Sequence, residues 1–124
     1  MSRIAVIGTG YVGLVTGVCF SDMGNRVICV DSDEGKVASL KRGQSPIYEP
    51  GLSKLLTAGV RRGRIEFTSS LSDAVDRSDI LFVAVGTPQN PKTGEADLGF
   101  VRAVARELGA VIRHGQNRCV VVKS

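Results

Sequence analysis

Short apolar runs rich in valine and isoleucine recur along the chain, separated by longer stretches whose apolar residues return every three or four positions. The runs at Arg3 to Ile7, Arg26 to Val30, Arg64 to Thr68, Ile80 to Val85 and Cys119 to Lys123 predict five strands. All but the third are continuously apolar, as expected of strands covered on both faces. Between the first two, Val12, Val15, Cys19, Phe20 and Met23 predict the packed stripe of a helix closed by Gly24. A second helix is expected from about Asp33 to Arg42, with Ser32 or Asp33 as its cap and Gly43 ending it. SPIYEPG reads as a loop, and Leu52, Leu55, Leu56 and Val60 mark a helix after it. Ser72 to Arg77 reads as a short helical connection capped by Ser72. After the polar loop GTPQNPKTGEAD, Val101, Val104, Ala105, Leu108, Val111 and Ile112 predict one face of a long helix capped by Asp97.

Strands alternating with helices define an α/β protein with a Rossmann-like, doubly wound parallel sheet. Right-handed crossovers make 3-2-1-4-5 the simplest strand order, and the ligand crevice then lies at the carboxyl ends of strands 1 and 4.

A chain of 124 residues with 43% apolar and 23% charged content suits one globular domain. Its net charge of +4 gives a weak preference for anionic ligands. The basic run Arg61, Arg62, Arg64 lacks interleaved aromatics, a helix-turn-helix pattern or a zinc framework, so it reads as a solvated helix end and no nucleic-acid partner is expected. Cys19, Cys29 and Cys119 lie far apart within apolar runs, which predicts buried reduced thiols in a cytoplasmic protein and neither a metal site nor a disulfide. The stretch after Arg3 superficially resembles a signal peptide, but its glycines and the absence of a cleavage site argue against one, and no membrane segment is expected.

Gly8, Gly10 and Gly13 form G-x-G-x-x-G between a predicted strand and a predicted helix, the context in which this otherwise common pattern points to a dinucleotide. The first glycine permits a tight turn, the second lets backbone approach a pyrophosphate, and the third lets the helix pack closely. Tyr11 and Val12 open the helix, whose free N–H groups and dipole favour phosphate. Asp31 ends the second strand 18 positions beyond Gly13, where a carboxylate grips the adenine ribose. A 2′-phosphate would meet a like charge there, so the expected cofactor is NAD rather than NADP. Lys36 could reach the ribose or phosphate edge, and Thr87 and Pro88 border the crevice on the nicotinamide side. His114 reads as a surface residue near a helix end, with no catalytic role.

GTGYVGLVTGVCFSDMG, VDSDEGKV, SPIYEPGL, VGTPQ and VVVKS, in that order, resemble the N-terminal domain of the UDP-glucose/GDP-mannose family of nucleotide-sugar 6-dehydrogenases across essentially the whole chain. IYEPGL and VGTP carry most of the specificity. The resemblance implies that Val12, Asp31, Lys36 and Thr87 hold NAD, with the glycine loop and the backbone around Val85 and Gly86. It also implies oxidation of a sugar C6 alcohol to a carboxylate in two NAD-dependent steps, through a thiohemiacetal and a thioester on a cysteine. None of the three cysteines here matches that nucleophile's motif, so no catalytic residue is carried over. Tyr48 and the GTGYVGLVTG start favour UDP-glucose as substrate, with GDP-mannose the alternative. The resemblance further implies that residues 1–124 are an incomplete NAD-binding domain of a homo-oligomeric enzyme, inactive alone. A sixth strand, a connecting helix and a substrate domain are expected to follow, and an unpaired fifth strand would favour self-association. A non-catalytic NAD-sensing module remains the reading from another class, although such modules have no use for YEPG or VGTP.

Overall fold

A computed structural model describes residues 2–112 and 117–123, so His114 lies outside the described residues. In chain order the elements are β1 (Arg3–Ile7), α1 (Tyr11–Asp22), β2 (Arg26–Val30), α2 (Glu34–Lys41), α3 (Leu52–Arg61), β3 (Ile65–Thr68), α4 (Leu71–Asp76), β4 (Ile80–Val83), α5 (Gly99–Val111) and β5 (Cys119–Val122). The five strands form one sheet in the order β3-β2-β1-β4-β5, with every pair parallel, as the alternation of elements predicts. Register aligns Ile7 with Val30 and with Val83, so the loops leaving β1, β2 and β4 emerge side by side.

Alternation along the strands divides the interior into two layers. Ile4, Val6, Val27, Cys29, Ile65 and Phe67 pack on one face with Leu14 and Val18 of α1, Leu40 of α2 and Leu56 of α3. Ala5, Ile7, Ile28, Val30, Leu81 and Val83 pack on the other with Ala74 and Val75 of α4 and Leu108 of α5. β1, β2 and β4 lie between these two layers and carry apolar side chains at successive positions, whereas β3 exposes Glu66 and β5 is largely exposed at the sheet edge.

The buried face of α1 differs from the expected one. Gly13, Leu14, Gly17, Val18 and Ser21 face inward, whereas Val12 is 40% exposed, Met23 75% exposed and Cys19 exposed. The helix is apolar nearly all round, so periodicity does not select a face. Close approach does: a Cβ on Gly17 would stand 2.8 Å from Cys29 Sγ. Of the expected stripe, Val15 and Phe20 are partly buried, and the Phe20 ring packs 5.2 Å from that of Phe82.

Several boundaries shift for local reasons. Asp33 caps α2, its carboxylate accepting from Lys36 N–H at 3.1 Å, and Gly43 follows that helix at φ +77°. Ser70, not Ser72, caps α4 by accepting from Asp73 N–H. Leu98 occupies the cap of α5, while Asp97 accepts from Gly99 N–H one residue early. Ala105 of that helix is exposed, and Leu108 is its one buried residue among those described. β4 stops at Val83, although Ala84 N–H still bonds Ile7 O at 2.8 Å before the chain turns away. β3 begins at Ile65 and β5 ends at Val122, each one residue inside the expected bounds.

Only Cys29 of the three cysteines is buried, and burial pushes its thiol up to about 12. Cys19 and Cys119 are exposed, against the expectation of three sheltered thiols: one lies on the outer face of α1, the other on an edge strand. Arg61, Arg62 and Arg64 are exposed around the end of α3. Among the described residues no helix is long and apolar enough to cross a membrane.

Candidate functional site

The chain leaves β1 through Gly8, whose N–H bonds Val30 O at 2.8 Å and whose φ of +104° lies in the left-handed region that favours glycine. A Cβ there would also stand 2.7 Å from Ala84 O. Gly13 answers a second constraint: its Cβ would lie 1.9 Å from Gly8 O, so α1 can begin against the loop's own carbonyl only if residue 13 has no side chain. The close-packing role expected of the third glycine is therefore played against the loop as much as against the sheet.

Gly10 is different. Its φ of −72° suits any residue, and among the described residues, its chain neighbours aside, nothing lies within 4 Å of the place a Cβ would take. None of them requires glycine there. Gly10 is the N-cap of α1, no side chain caps the helix, and its first turn carries no acidic residue. The open backbone and uncapped N–H groups fit the approach of a phosphate from outside.

Asp31 follows β2 directly, and its side chain is only 16% exposed. Oδ2 accepts from both the N–H, at 3.1 Å, and the hydroxyl of Thr9, and Oδ1 accepts from Asp33 N–H at 2.9 Å. The Lys36 ammonium lies 3.6 Å from Oδ2. Burial alone would raise the Asp31 pKa, but the Thr9 hydroxyl, the Asp33 and Thr9 amides and Lys36 together hold it below the usual 3.8. The carboxylate is thus ionised, oriented and bound to the glycine loop.

These groups open on a cavity of about 570 Å³ at the carboxyl ends of β1, β2 and β4. Gly8, Gly10, Asp31, Lys36, Val85 and Gly86 line it. Tyr11, Val12, Gly13 and Thr87 do not: Gly13 lies behind Gly8, Tyr11 and Val12 face solvent on the first turn of α1, and Thr87 is half-buried beyond Gly86. Tyr11 instead donates its hydroxyl to Glu49 at 3.1 Å, which ties the IYEPG loop to the glycine loop and raises the phenol pKa. Sequence reasoning missed Thr9, fully buried beneath Asp31, and the far wall formed by Leu71, Phe100, Val104 and Glu107. Val104 belongs to the apolar stripe that predicts a packed helix face, and Phe100 lies outside that stripe, so neither is marked as a cavity wall by spacing alone.

A glycine turn, an uncapped helix start and a strand-end carboxylate, gathered where neighbouring crossovers depart in opposite directions, define a dinucleotide-binding α/β domain. The sequence pattern of the UDP-glucose/GDP-mannose dehydrogenase family, NAD binding domain, matches residues 2–124, and the chain belongs to that family. NAD is the cofactor of this domain. The chain is 56% identical over 108 residues to UDP-glucose 6-dehydrogenase of Rhizobium meliloti, a match covering 87% of this chain and 25% of that protein. The crystal structure of a GDP-mannose dehydrogenase ternary complex from Pseudomonas aeruginosa superposes with TM-score 0.93 at 44% identity, covering 98% of this chain and 28% of the other. A UDP-glucose dehydrogenase from Pyrobaculum islandicum does so with TM-score 0.93 at 43% identity, covering 100% and 29%. The chain spans about a quarter of the length of the curated relatives it matches.

Proposed function

We propose that residues 1–124 form the cofactor-binding part of an NAD-dependent nucleotide-sugar 6-dehydrogenase whose substrate is UDP-glucose. The observation that carries the cofactor geometry is the ionised Asp31 carboxylate fixed at the rim of the glycine-loop cavity. In this reading the ribose hydroxyls donate to Asp31, while the first-turn amides of α1 and the open face at Gly10 receive the diphosphate. Leu71, Phe100 and Val104 offer an apolar wall to the adenine, and Val85, Gly86 and Thr87 lead toward the nicotinamide. Tyr11, Val12 and Lys36 complete the set, Lys36 by holding Asp31 and Tyr11 by fixing the loop above α1. Bound NAD supplies the hydride acceptor. The chain's own residues bind and orient it.

UDP-glucose is favoured over GDP-mannose because two UDP-glucose 6-dehydrogenases are 56% and 55% identical to this chain, against 44% for a GDP-mannose 6-dehydrogenase. The GDP-mannose reading rests on the high structural similarity to the Pseudomonas dehydrogenase. Cofactor binding is tested by calorimetric titration of this chain with NAD and NADP: Asp31→Ala is expected to lose about 1.5–3 kcal/mol of NAD affinity. Unchanged affinity would remove Asp31 from the site. Substrate choice is tested on the whole protein that carries this chain, by measuring NAD reduction with each sugar nucleotide. Faster turnover of GDP-mannose would reverse that choice.

A further inference from the structure

Asp31 is the residue expected to choose between NAD and NADP, yet the donors around it include one that no motif assigns. Thr9 stands between the first two glycines and is completely buried. Both its N–H and its hydroxyl point to the same oxygen, Asp31 Oδ2. Lys36 lies 3.6 Å from that oxygen too, whereas Oδ1 receives one backbone donor, from Asp33. A carboxylate has about four acceptor sites. Thr9 alone fills two of them, both on Oδ2, so Oδ1 keeps the vacancy.

We infer that Thr9 is a specificity-determining positioning residue: by clamping Oδ2 it fixes the Asp31 rotamer, so that Oδ1 meets the ribose hydroxyls and the negative charge stays where a 2′-phosphate would lie. The inference rests on the ribose-binding reading of Asp31. Without the hydroxyl donor, Oδ2 keeps the Thr9 amide and Lys36, and the carboxylate is free to swing toward the ammonium. Such a movement withdraws the acceptor from the ribose and lessens the repulsion of a phosphate in one step. The hydroxyl donor also favours the ionised carboxylate, as the lowered Asp31 pKa indicates.

The test compares NAD and NADP affinities of Thr9→Val, which keeps the shape and removes the donor, with those of Thr9→Ser, which keeps the donor. Asp31→Asn serves as the reference. Thr9→Val is expected to weaken NAD about tenfold, to leave NADP nearly unchanged and so to narrow the ratio between them, while Thr9→Ser restores most of the difference. The acid limb of NAD binding should move to higher pH in Thr9→Val and return in Thr9→Ser. Equal weakening of both cofactors, or a serine variant that behaves like valine, would overturn the inference by marking Thr9 as a packing residue. Thr9→Ala, which inserts no new methyl, stands in should valine prevent folding; if both fail to fold, the hydroxyl serves the fold and the specificity role is lost. An unchanged NAD to NADP ratio in Asp31→Asn would instead remove the ribose reading itself.

Discussion

Two of the chain's β-α-β units have helices of similar length, 12 and 13 residues, and use them in opposite ways. In β1-α1-β2 the helix turns small residues inward, burying Gly13, Gly17 and Ser21 beside Leu14 and Val18. In β4-α5-β5 the helix buries Leu108 alone among the described residues, and Val120 and Val122 of the edge strand are 45% and 59% exposed. A close helix fixes where its first turn points; a helix held off the sheet leaves room beneath it. The first unit thus presents amides at a defined place, and the second contributes Phe100 and Val104 as one wall of the cavity. Close packing at one side and open space at the other together make a slot for a flat, charged molecule.

The sharpest way to break that contrast is to put a methyl group where the first helix touches its loop. Gly13→Ala would place a Cβ 1.9 Å from Gly8 O, a clash with backbone that no side-chain rotation can relieve. We expect a loss of about 3 kcal/mol or more in urea unfolding, together with loss of NAD binding. A folded variant with normal affinity would mean that α1 can shift outward without cost, and the close approach would then have no bearing on the site.

Truncation of one leucine in each unit sharpens the same point. Leu14 is fully buried between α1 and the sheet, so Leu14→Ala is expected to cost about 3–5 kcal/mol. Leu108 is nearly as hidden, but its neighbours Glu107 and Gly109 are exposed and its surroundings can collapse, so about 2 kcal/mol is expected there. Equal losses in chemical denaturation would place the two helices on the same footing.

How much of this was legible in the sequence depended on whether one residue type had one physical meaning. Continuous apolar strands and glycine spacing have few alternatives, so the strand order and the location of the cavity followed. The face of α1 did not, because a helix apolar nearly all round is turned by backbone proximity rather than by side-chain hydrophobicity. Thr9 was hidden for a related reason: a threonine between glycines looks like filler until Asp31 is seen above it. Phe100, 58% exposed at the start of α5, lies outside the stripe that the helix's periodicity marks, so nothing in the spacing singles it out as a wall of the cavity.

A smaller effect should come from acid. The Asp31 carboxylate has a folded pKa below its ordinary 3.8, so its stabilisation is complete above the unfolded value and disappears as pH falls through the lower folded one. Thermal midpoints followed from neutral pH to below 3.8 should therefore fall more steeply in the wild type than in Asp31→Asn, the two curves converging at the acid end. Parallel curves would show that the tie between the glycine loop and β2 adds nothing to folding.

The smallest change tests the open side of the contrast by an expected gain. Gly109 lies inside α5, and among the described residues, the helix's own backbone aside, a Cβ there meets nothing within 4 Å. Alanine costs less backbone entropy than glycine in a helix, so Gly109→Ala should stabilise the chain by about 0.5–1 kcal/mol. The same substitution that should cripple α1 at position 13 is thus expected to improve α5 at position 109, because only one of the two helices is held against its surroundings by the absence of a side chain. If Gly109→Ala instead lowered the melting temperature, α5 would have to lie against something at that position, and the view of it as a helix standing off the sheet would fail.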